Sequence, residues 1–360
     1  MSASARKVRR GSTVTFITSL LLLHVVLLGY PFWRLGDWLS IADPLLWLGL
    51  TMIFSSQVVC RWSLRRVEST FARRVKQSLE LPLAISPILL IGILMGESAL
   101  AFGFSSPDTI ANLVLMLLLI LTPLGIFVAH RPRVRTLNLR NHRLAQPLHL
   151  VQITDVHIGS RSPKFLDDLV RRINDLAPEA LMITGDFIDQ RGIDDVALAP
   201  LSGLKMPVFF VIGNHERYED LSAIIGRLEA LGVKVLRNRQ VVFRDDVKII
   251  GVDDADDPHQ LEKVLADIEI DEAGYNILLY HRPAGLEAAA RRPVHLTLSG
   301  HTHNGQIFPF NLLVKWQFPK IQGLYKTLEC DHYVSPGTGT WGPVFRLGSS
   351  SEITQIMVNP

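Results

Sequence analysis

Residues 294–303 read Val-His-Leu-Thr-Leu-Ser-Gly-His-Thr-His, an apolar run that predicts a short strand, followed by a glycine and two histidines one residue apart. Four other predicted strands also end in a carboxylate, an amide or an imidazole. They are Leu148–Thr154 before Asp155 and His157, Ala180–Thr184 before Asp186, Val208–Ile212 before Asn214, and Ile277–Tyr280 before His281. Because ligands of open α/β sheets bind at the carboxyl ends of the strands, we expect these side chains to converge.

The residue types at these strand ends are typical of a metal site. Residues two apart on an extended chain point the same way, so Asp-x-His and His-x-His can each supply two ligands. Carboxylates, an amide oxygen and imidazoles without thiols suit Mn²⁺, Fe²⁺ or Zn²⁺. Taken alone, Asp155 could cap a helix, Asn214 could lie in a turn, and His281 could be a core histidine. The occurrence of such residues at five strand ends favours the metal site.

Composition and element order describe the rest of this half of the chain. Strands alternate with helical patterns from residue 148 onward and then follow one another, which predicts a mixed α/β fold. Residues 144–360 carry 21 Lys and Arg against 28 Asp and Glu. This acidic balance argues against nucleic acid as a partner. The two cysteines, Cys60 and Cys330, are too few and too far apart for a disulfide framework.

The ordered motifs carry a family resemblance. The blocks D-x-H at Asp155, G-D-x-x-D at 185–189, G-N-H-E at 213–216, a lone His281 and G-H-x-H at 300–303 resemble the calcineurin-like metallophosphoesterase superfamily, in particular its bacterial membrane-anchored branch. The resemblance implies a four-layer α-β-β-α sandwich. It also implies a phosphoesterase, of the phosphodiesterase type, in which a hydroxide shared by two metal ions attacks phosphorus.

The same resemblance implies a role for each block. One divalent ion is expected to bind Asp155, His157 and His303, the second to bind Asn214, His281 and His301, and Asp186 to bridge the two. His215, which is not required as a ligand, is expected to donate a hydrogen bond to the phosphoryl group and to protonate the leaving oxygen. Asp189 and Glu216 either orient the histidine ligands or cap strand ends.

The first 130 residues differ in composition from the rest of the chain, because they consist mainly of apolar stretches. Four of these are near the ~20 residues that cross a bilayer: Val14–Trp33, Ile41–Cys60, Leu81–Phe104 and Ile110–Ala129. We therefore expect four transmembrane helices. A signal peptide is the alternative for the first stretch, but no small-x-small cleavage site follows it. The predicted domains are a transmembrane region (1–130), a basic linker (131–147) and the metallophosphoesterase domain (148–360).

Basic residues orient the predicted spans. Four Lys and Arg precede the first span, one lies between spans one and two, six between two and three, none between three and four, and five follow the last. This alternation predicts a multi-pass protein of the cytoplasmic (inner) membrane with its catalytic domain on the cytoplasmic side. Within the spans, we expect Glu97 to reach towards the interface and His24 to bond a neighbouring helix.

The motifs do not determine the substrate, because specificity in such folds lies in loops. Within residues 306–325, ten large apolar side chains between Phe308 and Tyr325 follow shortly after His303. They predict either a lid that contacts lipid or a β-hairpin packed on the core. A lipid-facing lid would favour a lipid-linked phosphodiester or pyrophosphate substrate. The alternatives are a tethered phosphatase or phosphodiesterase of soluble substrates and a non-catalytic membrane sensor, which the complete ligand set argues against.

Overall fold

The computed structural model describes residues 22–63 and 69–360. The chain divides into two compact units, Met1–Leu124 and Gly125–Pro360. The first unit contains a π-helical turn and three helices, and a fourth helix ends in the second unit. These elements are the turn Val25–Gly29, α1 (Tyr30–Trp38), α2 (Asp43–Trp62), α3 (Thr70–Ala101) and α4 (Pro107–His130).

Among the described residues, three helices are long and apolar enough to cross a membrane: α2, α3 and α4. Four such helices were expected, and the residues that the structure describes hold three. Residues 14–21 of the first predicted span lie outside the described residues. The described part of that span, residues 22–33, is helical and runs through the π-helical turn into α1, which ends at Trp38.

Close packing in the first unit depends on small residues. A Cβ atom on Gly96 of α3 would lie 2.6 Å from Ile110 and 2.7 Å from Trp38, so only glycine allows these side chains to approach. One residue later, Glu97 accepts hydrogen bonds from Arg34, and the hydroxyl of Tyr30 lies 3.3 Å from its carboxylate. Glu97 is therefore held by an ion pair with Arg34 within this unit.

The second unit is built on two six-stranded sheets. Sheet one has the order β1-β12-β2-β3-β4-β5, and sheet two has the order β10-β11-β9-β8-β7-β6. The strands of sheet one are β1 (Arg133–Arg140), β2 (Leu148–Ile153), β3 (Ala180–Thr184), β4 (Val208–Val211), β5 (Lys234–Val235) and β12 (Glu352–Asn359). Those of sheet two are β6 (Arg239–Arg244), β7 (Val247–Val252), β8 (Tyr275–Tyr280), β9 (Leu296–Ser299), β10 (Gly323–Thr327) and β11 (Cys330–Val334).

Both sheets have a parallel centre. In sheet one β2, β3, β4 and β5 pair in parallel, and in sheet two β7, β8, β9 and β11 do so. Their central strands are buried on both faces and read as continuous apolar runs, as parallel strands do. The carboxyl ends of β2, β3 and β4, and of β8 and β9, therefore each open at one edge of their sheet.

Seven further helices complete the second unit. They are α5 (Pro163–Leu176), α6 (Asp195–Leu198), α7 (Asn214–Tyr218), α8 (Leu221–Ala230), α9 (Gln260–Asp267), α10 (Leu286–Ala290) and α11 (Phe310–Gln317). One apolar cluster joins α5 and α8 to sheet one, a second lies between the sheets, and a third joins α9 and α10 to sheet two. The fold is thus a mixed α/β arrangement of two sheets and their helices.

The stretch between the apolar helices and the domain contains regular structure. Within residues 131–147, expected to be a linker, Arg133–Arg140 form β1, which pairs in parallel with β12 along its whole length. Along β1, only Leu137 and Leu139 are buried, and the other six residues are exposed. The polar composition therefore reflects an edge strand with one solvated face, which sequence composition alone does not separate from a loop.

Candidate metal centre

The predicted strand ends meet in one place. The ends of β2, β3 and β4 in sheet one carry Asp155, His157, Asp186 and Asn214. The ends of β8 and β9 in sheet two carry His281, His301 and His303, and the two sets lie together. Five of the seven predicted ligands, Asp155, His157, Asp186, His301 and His303, have positive φ angles between 49° and 72°. Residues other than glycine rarely adopt this conformation, and such strain concentrates at functional sites.

Asp155, His157 and His303 form the first group of side chains that could hold a metal ion. All three are buried. The Nε2 atoms of His157 and His303 lie 3.2 Å apart, and Nε2 of His303 lies 3.3 Å from the carboxylate of Asp155. Thr154 directly follows β2, and its hydroxyl orients this carboxylate by donating to it at 2.8 Å.

Asp186, His281 and His301 form a second group. Nε2 of His281 lies 3.2 Å from both Oδ2 of Asp186 and Nδ1 of His301. The Nδ1 atom of His281 donates to the carbonyl oxygen of Thr184 at 2.8 Å, so Nε2 is the atom that would bind a metal once it has lost its proton. Asp186 also belongs to a third group with His157 and His215, and therefore lies between the first two.

Asn214 offers a direct test of whether this pocket suits a cation. Its Oδ1 atom is buried and has no hydrogen-bond partner among the described residues. A buried acceptor without a donor costs about 1–3 kcal/mol, whereas a metal ion would satisfy it. Together with the convergent imidazole nitrogens and carboxylates, this oxygen fits a site for a divalent metal.

The charges of the pocket favour a cation. Burial lowers the pKa of His281, but the carboxylate of Asp186 outweighs burial and raises this pKa to about 10. Burial, together with the positive charge of His281, lowers the pKa of His301 to about 3. Burial raises the pKa of Asp186, yet the charge of His281 outweighs it, and the net shift is downward. The carboxylates thus attract positive charge to the point where the ligand atoms meet.

The two carboxylates expected to orient histidines or cap strand ends have different roles. The Oδ2 atom of Asp189 lies 3.4 Å from Nδ1 of His157, and it also accepts a hydrogen bond from the Ser160 hydroxyl. Asp189 therefore orients a histidine. Among the described residues, Glu216 forms no hydrogen bond or ion pair with a histidine, and it accepts hydrogen bonds from four backbone N–H groups. These belong to Asp186, Phe187, Ile188 and Gly213.

His215 lies at the open side of the pocket. Its ring centroid is 4.8 Å from that of His157, and its backbone N–H donates to the Asp186 carboxylate at 2.8 Å. The rings of Tyr218 and Trp341 flank it at 6.3 and 6.4 Å. Burial and the charge of His157 lower the pKa of His215, so its protonated form gives up a proton more readily than a free imidazolium does.

One buried residue near the pocket gave no signal in the sequence. The guanidinium of Arg346 is completely buried and donates to the carbonyl oxygens of His303, Pro336 and Gly339. It therefore fixes the loop that carries His303 against residues 336–339. In a sequence, a single arginine in a loop cannot be distinguished from a solvent-exposed one. Only its position after the strand-end motifs could have indicated that Arg346 is buried near the pocket.

A network of two arginines and two aspartates was also not predicted. Arg217 and Arg282 follow the histidines His215 and His281 in the chain, and both form ion pairs with Asp254 and Asp256. The side chain of Asp254 is fully buried between them. The basic residues could have been noticed because they lie next to strand-end motifs, but their acidic partners come from a different loop.

Comparisons with known proteins identify the family of this chain. The model of the calcineurin-like phosphoesterase family matches residues 148–305. An uncharacterized metallophosphoesterase of Campylobacter jejuni is 32% identical over 267 residues, which cover 68% of this chain and 71% of that protein. The chain belongs to the calcineurin-like metallophosphoesterase family. The resemblance inferred from the strand-end motifs is confirmed.

One further relative carries the word transmembrane in its name. A Bos taurus protein named "Transmembrane protein with metallophosphoesterase domain" is 36% identical over 275 residues, which cover 68% of this chain and 62% of that protein. The chain thus spans less than two thirds of this relative. Among solved structures, the phosphopantetheinyl hydrolase of Mycobacterium tuberculosis has a TM-score of 0.35 and 12% identity over 56% of this chain and 92% of its own.

Proposed function

We propose that this metallophosphoesterase is a membrane-anchored, dinuclear, metal-dependent hydrolase of phosphoester bonds. The observation that supports it best is the position of Asp186, which belongs to a ligand group with His281 and His301 and to another with His157. A carboxylate between two ligand groups suits two cations held close together. Mn²⁺, Fe²⁺ and Zn²⁺ all accept this donor set.

The residues of the chain would divide the work as follows. Asp155, His157 and His303 hold one ion, Asn214, His281 and His301 hold the other, and Asp186 contacts both. When bound, two such ions supply Lewis-acid charge for the phosphate oxygens and lower the pKa of the attacking water. His215 would donate an N–H to the phosphoryl group, and in its protonated form it would pass that proton to the leaving oxygen and become neutral. Asp189 keeps Nε2 of His157 directed at the first ion.

The test uses the full chain in detergent, loaded with Mn²⁺, with metal content and hydrolysis of bis-p-nitrophenyl phosphate as readouts. Asp186→Ala is expected to lose both metal and activity. His215→Ala is expected to keep its metal and to lose about 10²–10⁴-fold in kcat, the usual contribution of a general acid. His259→Ala, whose side chain is 68% exposed, is the control and should match the wild type. Hydrolysis by Asp186→Ala at the wild-type rate would refute the proposal.

We also propose the four-layer α-β-β-α arrangement and the domain division inferred from the motifs. The three apolar clusters, helix to sheet, sheet to sheet and sheet to helix, support four layers. The catalytic domain would lie on the cytoplasmic side of an inner membrane, as the distribution of Lys and Arg suggests. Protease protection of the catalytic domain in sealed spheroplasts is the expected result.

We propose further that the substrate of this hydrolase is linked to a lipid. Residues 306–325 are not one hairpin packed on the core, because only 323–325 lie in a hairpin strand, β10, which pairs with β11. They contain α11, in which no residue is buried and Leu312, Leu313 and Trp316 are 60, 63 and 89% exposed. Directly after this helix, the Phe318 ring contacts that of His301 with centroids 5.1 Å apart. An exposed apolar helix thus leads to the metal centre, as an acyl chain would require.

The path from α11 to helix α4 strengthens this assignment. The backbone N–H of Arg346 donates to the carbonyl oxygen of Gly125 in α4 at 3.0 Å, and the next residue, Leu347, accepts from the N–H of Phe308 at 2.8 Å. Phe308 is two residues from the start of α11. The apolar helix is therefore linked by two backbone contacts to a helix of membrane-spanning character.

The experiment compares two substrates. Leu313→Ser with Trp316→Ser is expected to reduce hydrolysis of a phospholipid diester in mixed micelles at least tenfold, and to leave hydrolysis of bis-p-nitrophenyl phosphate within twofold. Val196→Ser, at another exposed apolar position, is the control. Equal rates on the lipid for both variants would instead favour the second candidate, a tethered phosphatase or phosphodiesterase of soluble substrates.

A further inference from the structure

A cavity of the second unit lies away from the metal centre. It has a volume of about 1030 Å³ and is formed by the last turn of α4, the start of β1, one face of α5 and Lys205. Phe127, Val128 and His130 of α4 contribute to it, and the helix that carries them is one of the three of membrane-spanning character. The proposed catalytic residues do not line it.

The cavity is positively charged. Five cations and two carboxylates line it: Arg131, Arg133, Arg171, Arg172, Lys205, Asp168 and Asp175. Arg171 is paired with Asp167 and Asp168. Within residues 22–63 and 69–360, no carboxylate lies within 4 Å of the side-chain nitrogens of Arg133, Arg172 or Lys205. Three cations without counter-ions around a cavity attract a negatively charged ligand.

A buried cation lies behind the cavity wall. The guanidinium of Arg161 is 3.9 Å from the ring centroid of Phe165, a residue of the lining. Arg161 is only 2% exposed, and none of its three guanidinium nitrogens has a hydrogen-bond partner among the described residues. Burying an unpaired cation is unfavourable, and an anion in the adjacent cavity would offset part of that cost.

The lining also has apolar surface. Phe127, Val128, Phe165 and Leu169 lie among the cations. An amphipathic ligand with a phosphate group matches this mixture better than a small inorganic anion does, since the apolar side chains would contact its hydrocarbon part. Because α4 leaves the apolar stretch of the chain at this point, headgroups of a surrounding bilayer would lie at the level of the cavity.

We propose that this cavity binds the phosphate group of an anionic membrane phospholipid, with Arg133, Arg172 and Lys205 around the phosphate and Phe127 against the glycerol and acyl region. The ligand is a lipid headgroup held at the end of a membrane helix, distinct from any substrate at the metal centre. This assignment does not depend on the proposed hydrolysis, because it rests on the residues of the cavity alone.

The test measures lipid retention by the full chain. Protein purified in a mild neutral detergent is mixed with phosphatidylglycerol or phosphatidylcholine, and bound lipid is counted by native mass spectrometry. We expect preferential retention of phosphatidylglycerol by the wild type. Arg172→Gln with Lys205→Gln should weaken that retention roughly tenfold or more, because each basic residue near a lipid headgroup contributes measurably to anionic-lipid binding.

A matched double variant controls for net charge. Arg140→Gln with Lys326→Gln removes two exposed cations outside the cavity and should bind phosphatidylglycerol as the wild type does. Both variants should keep the wild-type unfolding temperature and activity on bis-p-nitrophenyl phosphate. Equal retention of phosphatidylglycerol by the cavity variant and the wild type would overturn the proposal. Displacement of the lipid by millimolar inorganic phosphate would assign the cavity to free phosphate and would also overturn it.

Discussion

The carboxylate of Glu216 lies 3.0 Å from the backbone nitrogen of Asp186 and accepts its hydrogen bond. The same carboxylate accepts from the N–H groups of Phe187, Ile188 and Gly213. One side chain therefore joins the turn after β3 to the turn after β4, the two turns that carry Asp186 and Asn214. Glu216 acts as a positioning residue for the metal centre, since it contacts no predicted ligand side chain.

Replacement of this carboxylate tests its role. In Glu216→Gln, the amide group would point a donor at N–H groups that are themselves donors. Loss of charge-assisted hydrogen bonds from a buried position should lower the free energy of unfolding by about 2–4 kcal/mol. The measurement is thermal unfolding of the full chain with metal content determined on the same sample. Glu229→Gln, exposed on α8, is the control. An unchanged unfolding temperature with full metal content would contradict this role.

Asp189→Asn tests the carboxylate that contacts Nδ1 of His157, a predicted metal ligand. An amide can present its nitrogen to Nδ1 of His157, and the imidazole then loses the acceptor that fixes its tautomer. We expect metal affinity to fall about 10–100-fold, with little change in kcat once excess Mn²⁺ restores occupancy. Titration of activity against Mn²⁺ gives both quantities. Asp245→Asn, on an exposed turn, should titrate like the wild type. A fall in kcat at saturating metal would indicate a direct catalytic role instead.

The metal centre was the most predictable part of this molecule, for a physical reason. Parallel strands open their carboxyl ends at one edge, so five polar strand ends predict a common site without knowledge of the packing. Asp155, His157 and His303 come from two different sheets, yet the sequence motif identified each. Specific types of side chain at fixed distances from apolar runs are visible in the one-dimensional chain.

Other features could not be read in this way. β1 was expected to be a linker, because an edge strand with a polar face resembles a loop in composition. Arg346 and Asp254 act through partners that lie far from them in the chain, and nothing in the local sequence marks a buried ion pair. The alternatives for residues 306–325 differed in burial, and burial depends on tertiary packing. Such features require the three-dimensional structure.

Asp254 provides a third prediction. Its Oδ2 atom accepts a hydrogen bond from Nη1 of Arg217 at 2.7 Å, and its Oδ1 atom lies 2.6 Å from Nε of Arg282. Asp254→Asn would leave two arginines beside the histidine segments without a buried counter-ion. We expect kcat for bis-p-nitrophenyl phosphate to fall about tenfold, equal to about 1.4 kcal/mol of barrier, because His215 and His281 lose their alignment.

The neighbouring aspartate is the control for this network. Asp256 pairs with the same two arginines, but its side chain is 59% exposed. Exposed ion pairs contribute about 0–1 kcal/mol, so Asp256→Asn should stay within about threefold of wild-type kcat. Equal losses for the two variants would show that surface charge, and not the buried pair, accounts for the effect.

The last prediction concerns stability in acid. Burial, with the positive charge of Arg143, lowers the pKa of His295 from 6.5 to about 4. The ring is neutral when its Nδ1 atom accepts the backbone N–H of Asn276 at 3.0 Å. Above pH 6.5 this histidine is neutral in both the folded and the unfolded chain. Between pH 6.5 and 4 the unfolded chain binds a proton that the folded chain does not, so stability falls as the pH is lowered.

His295→Asn should reduce this acid sensitivity, because the asparagine oxygen can replace Nδ1 as an acceptor and does not titrate. We expect the variant to be somewhat less stable than the wild type at pH 7.5, since it loses the stacking of the imidazole on Tyr275. Between pH 7.5 and 5 its unfolding temperature should fall less than that of the wild type. Thermal unfolding of the full chain in detergent at several pH values measures both slopes. Parallel slopes would mean that His295 titrates at the same pH in the folded and the unfolded chain.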